Sequence, residues 1–384
     1  MAFLGRGIRL FRAFGVTVQL DYSWFIFFIL VSWTFGHFYF PHFYGDLPRV
    51  TLWVSAVTAT LLLFASVLFH EMSHAIASNR LGFPIKKITL FIFGGVAHMK
   101  SEPDNPKTEF AVAAAGPLSS LFLWLAFFAV AIAARLAGAS QVAAVAEVLA
   151  EVNLVLALFN LVPGFPLDGG RLLRSAIWWK TNNLRRATNI AAKMGEGFAY
   201  LLMLVGALNF FVGRSGWING LWYILVGVFL KGAAEQSYRH VLLEEVLQGI
   251  RVGEIMGQNR LSVTEDENLL HLVEEKFLHH KFTSYPVLNA EGFVVGLIDL
   301  KDVKGVPKEQ RDAKAVTEVM RLIPLAHLPR TDTTAFDALR EMLTLGVANL
   351  PVVDGEGRLA GIVTRADIMS MFQIRSDLAD EIVV

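Results

Sequence analysis

Before about residue 235 the chain repeats one feature six times: an apolar run about twenty residues long, the length that crosses the hydrocarbon core of a bilayer as a helix. The runs fall near residues 22–40, 51–79, 110–135, 142–162, 191–212 and 217–232. A bilayer offers no water to backbone N–H and C=O groups, so a spanning segment must satisfy them internally, and a helix does so. That confines the first part of the chain to a polytopic α-helical bundle with six transmembrane helices. Composition agrees, since 54% of the 384 residues are hydrophobic and 18% are charged. A soluble domain would carry about a quarter charged residues.

Orientation follows from the basic residues. With a cytoplasmic N-terminus, the inner loops hold Arg6, Arg9, Arg12, Lys86, Lys87, Lys100, Lys107 and the cluster from Arg171 to Lys193, against Arg49, Arg135 and Arg214 outside. Positive charge therefore places both termini on the cytoplasmic side of a cell membrane. No small-residue cleavage site follows the first run, which reads as an uncleaved signal anchor. Zero net charge argues against a nucleic-acid partner. The absence of cysteine excludes disulfides and thiolate metal ligands.

The second run ends in polar residues that hydrocarbon does not tolerate without a role: His70, Glu71 and His74. Four residues make about one helical turn, so the two imidazoles stand one above the other. That spacing suits one zinc ion, with Glu71 beside it as general base. A catalytic zinc takes three protein ligands and keeps one position open. Asp168 is the expected third, in a segment where Pro163 and Pro166 break the fourth run and Gly164, Gly169 and Gly170 admit close backbone approach. Asn160, one to two turns earlier, offers an amide to a developing oxyanion or to the substrate backbone; helix packing is its other reading. Gly116-Pro117 reads as a helix kink, and Tyr22, Trp178 and Trp179 as interface markers. His98 reads as a surface or substrate-contact residue rather than a ligand.

Two short stretches look strand-like. Residues 14–21 alternate Val16, Val18 and Leu20 with smaller or polar residues, and residues 88–99 read as two strands around a Gly94-Gly95 bend. Either is a candidate to clamp an unwound substrate segment by strand pairing. After residue 235 an internal repeat begins. Tyr285-Pro286-Val287 recurs as Leu350-Pro351-Val352 and Gly296-Leu297-Ile298 as Gly361-Ile362-Val363, both at a spacing of 65. Val252–Ile255 and Met256 recur from Val316 to Met320 at a spacing of 64. Two copies of one small α+β unit are expected to bury their faces against each other. The expected layout is 1–235 in the membrane, a linker at 236–250, and repeats at 251–308 and 309–384.

Four stretches in order, HEMSHA, FGGVAHM, AAGPLSS and NLVPGFPLDGGR, closely resemble the site-2 protease family of intramembrane zinc metalloproteases over about residues 1–235. The resemblance implies one Zn²⁺ per chain on His70, His74 and Asp168, Glu71 as base, and cleavage of a membrane-spanning helix of another protein. The later part resembles tandem CBS repeats, which implies an adenine nucleotide (ATP, ADP or AMP) as ligand, and a homodimer through these modules. Gly361–Asp367 resembles the nucleotide-binding stretch of such repeats, with Thr364 on a phosphate and Asp367 on a ribose. The first repeat departs from it: Asp299 stands at the threonine position, although Asp302 is kept, and its charge should repel phosphate. A ligand-free interaction module is the plainer reading. The alternative for the whole chain is a CBS-gated transporter or channel with a non-catalytic metal site.

Overall fold

The computed structural model describes residues 7–91, 94–99, 103–212, 217–258, 261–280 and 282–381. They form two compact units, Met1–Tyr238 and Arg239–Val384.

The first unit begins with strands β1 (Gly7–Ala13) and β2 (Val16–Asp21). The next elements are α1 (Ser23–Thr34), a π-turn over Phe35–Tyr39, and α2 (Phe40–Tyr44). Helix α3 (Arg49–Arg80) leads into β3 (Ile85–Phe91) and β4 (Gly94–Met99). Helices α4 (Pro106–Leu136), α5 (Ser140–Asn160), α6 (Asp168–Thr181), α7 (Leu184–Val212) and α8 (Trp217–Gln248) complete it, with α8 running on into the second unit. Among the described residues five helical stretches are long and apolar enough to cross a membrane: Ser23–Tyr44, Arg49–Arg80, Pro106–Leu136, Ser140–Asn160 and Leu184–Phe211. The sixth expected span opens α8 and is not among these five.

The strands form one sheet in the order β1-β2-β3-β4. β2 runs parallel to β3, and the outer pairings are antiparallel. Three sequence expectations change here. Residues 14–21 are not all strand, because Phe14 (φ 51°) and Gly15 (φ 81°) make the turn between β1 and β2. β1 was not expected at all; its basic residues read as a flank, and a register shift between Arg9 and Phe11 breaks its alternation. Of the two stretches expected to clamp a substrate, β2 in the first and β3 in the second are interior and paired on both sides, leaving β4, the second half of residues 88–99, at the edge of the described sheet. Residues 92 and 93 of that stretch lie outside the described residues.

The sheet packs on the last turns of α3, where Val16, Val18, Ile85, Ile88 and Leu90 bury against Met72 and Ala75. Farther along, α3 meets α5 through Ala56 and Ala59 against Ala144, Val148 and Leu149. Small residues let helix backbones approach where lipid supplies no hydrophobic drive. Helix α4 starts cleanly: Pro106 takes the first helical position, and the Asn105 side chain accepts the Thr108 N–H at 2.9 Å. Asn160 and Asp168 do not share a helix. α5 ends at Asn160, residues 161–167 turn, and Asp168 opens α6, which occupies the stretch expected to be a basic connection.

The second unit contains α9 (Val252–Ile255), β5 (Val263–Thr264), α10 (Leu269–His271), β6 (Ser284–Leu288), β7 (Val294–Asp299) and α11 (Leu300–Lys304). Its second half contains β8 (Arg321–Leu322), α12 (Ala335–Leu345), β9 (Asn349–Val353), β10 (Leu359–Thr364) and α13 (Arg365–Glu381). The halves meet at equivalent residues, with buried Asn349 donating to the Ser284 carbonyl at 2.7 Å. Their leading segments are exchanged. Gly257 pairs with Ile362 of the second repeat, while Leu322 pairs with Gly296 of the first.

Candidate metal centre

α3 is unbroken across the His70–His74 turn, so the two rings lie over one another with centroids 4.9 Å apart. Both are buried. Each ring has one nitrogen engaged by α4. His74 Nδ1 lies 2.7 Å from the Val112 carbonyl, which can only accept, so that nitrogen carries a hydrogen and, in the neutral ring, Nε2 is the one with a lone pair to offer. His70 Nδ1 meets Ser120 Oγ at 2.9 Å. Such partners fix the tautomer and ring orientation of metal-binding histidines.

The free nitrogens converge on the start of α6. Asp168 Oδ2 is 3.2 Å from His70 Nε2 and 3.2 Å from His74 Nε2, and the two nitrogens are 3.3 Å apart. Ligands about 2.0 Å from a tetrahedral zinc are separated by roughly 3.3 Å, so the donor triangle has the right size. Among the described residues this is the one group of three or more His, Cys, Asp or Glu side chains found close enough to hold a metal ion.

Two glycines missed as site residues make the arrangement possible. A Cβ on Gly116 would lie 2.1 Å from His74 Nε2 and 2.6 Å from His70 Nε2. The residue read as part of a kink therefore leaves space beside the donor nitrogens. A Cβ on Gly95, in β4, would lie 2.4 Å from Glu71 Cγ, so the strand backbone lies against the carboxylate-bearing chain. Neither could be found from sequence, because each is defined by what faces it across the fold. Gly169 is packed as expected: a Cβ there would meet the Leu161 and Val162 carbonyls at 2.4 Å.

His70, Glu71, His74, Asn160 and Asp168 all line one cavity of about 850 Å³, whose other walls include Phe64, Val67, Leu156, Trp222 and Phe229. Asn160 spends one amide hydrogen on the Leu156 carbonyl at 3.0 Å, and an amide carries two. Arg171, not singled out from sequence, also lines this cavity.

Thr364 and Asp367 lie together but face each other. Thr364 Oγ1 donates to Asp367 Oδ2 at 2.7 Å, and the Asp367 N–H donates back to Thr364 Oγ1 at 3.1 Å, capping α13. Asp299 and Asp302 cap α11 by accepting backbone N–H groups on both carboxylates, with no bond between the two side chains themselves. A cleft of about 420 Å³ lies beside Asp299 rather than Thr364, with Lys301, Lys304 and Arg365 on its walls.

The description of peptidase family M50 matches residues 58–138 and 130–204, and that of the CBS domain matches 252–309 and 316–373. The chain is 32% identical over 373 residues to "Putative zinc metalloprotease Rip3" of Mycobacterium tuberculosis, covering 96% of this chain and 93% of that one. It is 29% identical over 378 residues to zinc metalloprotease MJ0392 of Methanocaldococcus jannaschii, covering 97% and 99%. Among solved structures, the site-2 protease from Methanocaldococcus jannaschii is 28% identical over 61% of this chain and 96% of that one, with a TM-score of 0.40. Matched almost end to end by zinc metalloproteases, this chain belongs to peptidase family M50, the site-2 protease family, and carries a pair of CBS domains.

Proposed function

We propose that the protein is a multi-pass intramembrane zinc endopeptidase that cuts peptide bonds within or beside membrane-spanning helices of other proteins, using His70, His74 and Asp168 as ligands and Glu71 as base. The observation that carries this reading is the donor triangle, with sides of 3.2, 3.2 and 3.3 Å, whose outer nitrogens are already engaged by α4. Zinc, when bound, polarises a scissile carbonyl and makes water nucleophilic near neutral pH. The residues do the rest. The Glu71 carboxylate takes the proton of the attacking water and returns it to the leaving amide nitrogen. The second amide hydrogen of Asn160 is free to hold a substrate carbonyl. Apolar walls suit a segment drawn from lipid, and the edge of β4 offers backbone groups to that segment once it unwinds.

Loop charges support cytoplasmic termini and a cytoplasmic CBS pair. An adenine nucleotide is the ligand proposed for that pair. The cations around the Asp299 cleft support a phosphate there, at the repeat that sequence disfavoured. Thr364 and Asp367 remain candidates, each with its helix-capping bond to keep.

The test is co-expression of the full chain with single-span reporter proteins, comparing wild type with Glu71→Gln. Fragments should appear only with wild type while both forms retain zinc. Equal fragment patterns, or none in either form across a broad reporter set, would sink the reading.

A further inference from the structure

One charged cluster in the membrane unit takes no part in the chemistry above. Glu109, in the first turn of α4, is fully buried, and Arg174 of α6 is 4% exposed. Arg174 Nε donates to Glu109 Oε1 at 2.6 Å, and a second guanidinium nitrogen reaches the same oxygen. Arg171 Nε stands 3.8 Å from it. The Arg174 guanidinium also lies over the Phe165 ring, 5.2 Å from its centroid, in the turn that precedes Asp168. Burying an ion pair strips water from both charges, and an apolar pair of similar volume would usually be as stable. Its presence therefore calls for a role in geometry.

The geometry supplies one. Glu109, Val112, Gly116 and Ser120 follow at intervals of three, four and four residues, which puts them on one stripe of α4. Three of them touch or closely face the metal ligands: Val112 bonds His74, Ser120 bonds His70, and Gly116 stands against both Nε2 atoms. The fourth grips the helix that bears Asp168. Along α4, Glu109 is about 10 Å from Gly116, and along α6, Arg174 is about 9 Å from Asp168, taking a rise of about 1.5 Å per residue. The two helices are thus pinned at matching distances from the donor triangle.

We propose that Glu109 and Arg174 are positioning residues which fix the rotation of α6, so that Asp168 meets the two histidines held by the same stripe of α4. This rests on the ligand assignment made above. A two-pronged Arg–carboxylate contact resists rotation where a lysine, a point donor, does not. Arg171 keeps Glu109 beside a cation when Arg174 is replaced, which favours folding of the variants.

The experiment uses the full chain in detergent, stripped of metal. It measures zinc affinity by competition with a chromophoric chelator and ligand geometry from the visible spectrum of the cobalt-loaded protein. Wild type and Asp168→Ala calibrate it: tight zinc binding lost in Asp168→Ala supports the ligand assignment, whereas equal binding refutes that assignment and this proposal with it. With those controls in place, Arg174→Lys should weaken zinc about 10-fold and Arg174→Gln about 100-fold, the span usual for groups that orient metal ligands. Both should shift the cobalt bands while keeping a cooperative melt. Wild-type affinity and spectrum in folded Arg174→Gln would overturn the positioning role and leave the ligands standing. Unfolding of both variants would overturn it too, because the pair would then hold the bundle rather than the ligand.

Discussion

Replacing Gly116 with alanine puts a methyl group where the donor nitrogens are. Ordinary contact begins near 3.4 Å, and the new Cβ would lie 2.1 Å from His74 Nε2, so about 1.3 Å must be found. The methyl group is not flexible, and His74 Nδ1 is bonded to Val112 on the same helix. If α4 retreats, it takes that partner along; if the ring turns, it gives up the bond. Either way the donor moves by several times the roughly 0.2 Å that a metal–ligand distance tolerates. Overpacking of this kind costs about 1–3 kcal/mol, and most of that should fall on the metal-bound state. Zinc affinity should drop at least 100-fold, about 2.8 kcal/mol at 1.4 kcal/mol per decade. Chelator competition on purified Gly116→Ala, with a thermal melt alongside, measures it. Full zinc content at wild-type affinity would refute the argument, since it would mean the stripe of α4 does not define the pocket.

Other outcomes follow from the same contacts. Gly95→Ala should keep zinc but slow cleavage, because its Cβ would fall 2.4 Å from Glu71 Cγ; unchanged turnover would detach β4 from the base. Dialysis against a strong zinc chelator should abolish cleavage, and zinc or cobalt should restore it; persistent activity in metal-free protein would exclude the ion from the reaction. Asp367→Ala removes the reciprocal cap of α13 and should destabilise the CBS pair by about 1 kcal/mol whether or not a nucleotide is present, read from its urea midpoint. Proline at Ala97, in the edge strand, should impair cleavage of a membrane substrate while leaving zinc affinity near wild type; no change in cleavage would argue against strand pairing there.

Much of the candidate site is legible in the sequence because its logic is local. His70 and His74 are one turn apart on a helix that the apolar run dictates, and proline and glycine around Asp168 announce a break. What escaped was defined across space. Gly116 looked like half of a kink and Gly95 like part of a bend until the imidazoles and Glu71 were seen opposite them. The break expected between Asn160 and Asp168 is there, but the new helix that Asp168 opens, α6, was read only as a basic connection. β1 was hidden because the register shift after Arg9 breaks the period-two pattern that identifies a strand. The Thr364–Asp367 stretch shows the opposite ambiguity: one short motif serves as a helix cap, and its spacing alone does not separate that duty from ligand binding.

The swapped ends of the CBS pair bear on how a signal could travel. Leu247, at the end of α8, and Ile250, just beyond it, are built into the same core as Ala335, Met342 and Leu350, and Gly257 is stitched to Ile362. The chain leaving α8 thus packs first into the copy that is second in sequence. Cutting the chain between the copies would leave each hairpin lacking its stitched neighbour, so neither copy is an independent cassette. Within this unit the end of α8 and the distal hairpin share one apolar core, so neither can repack without the other.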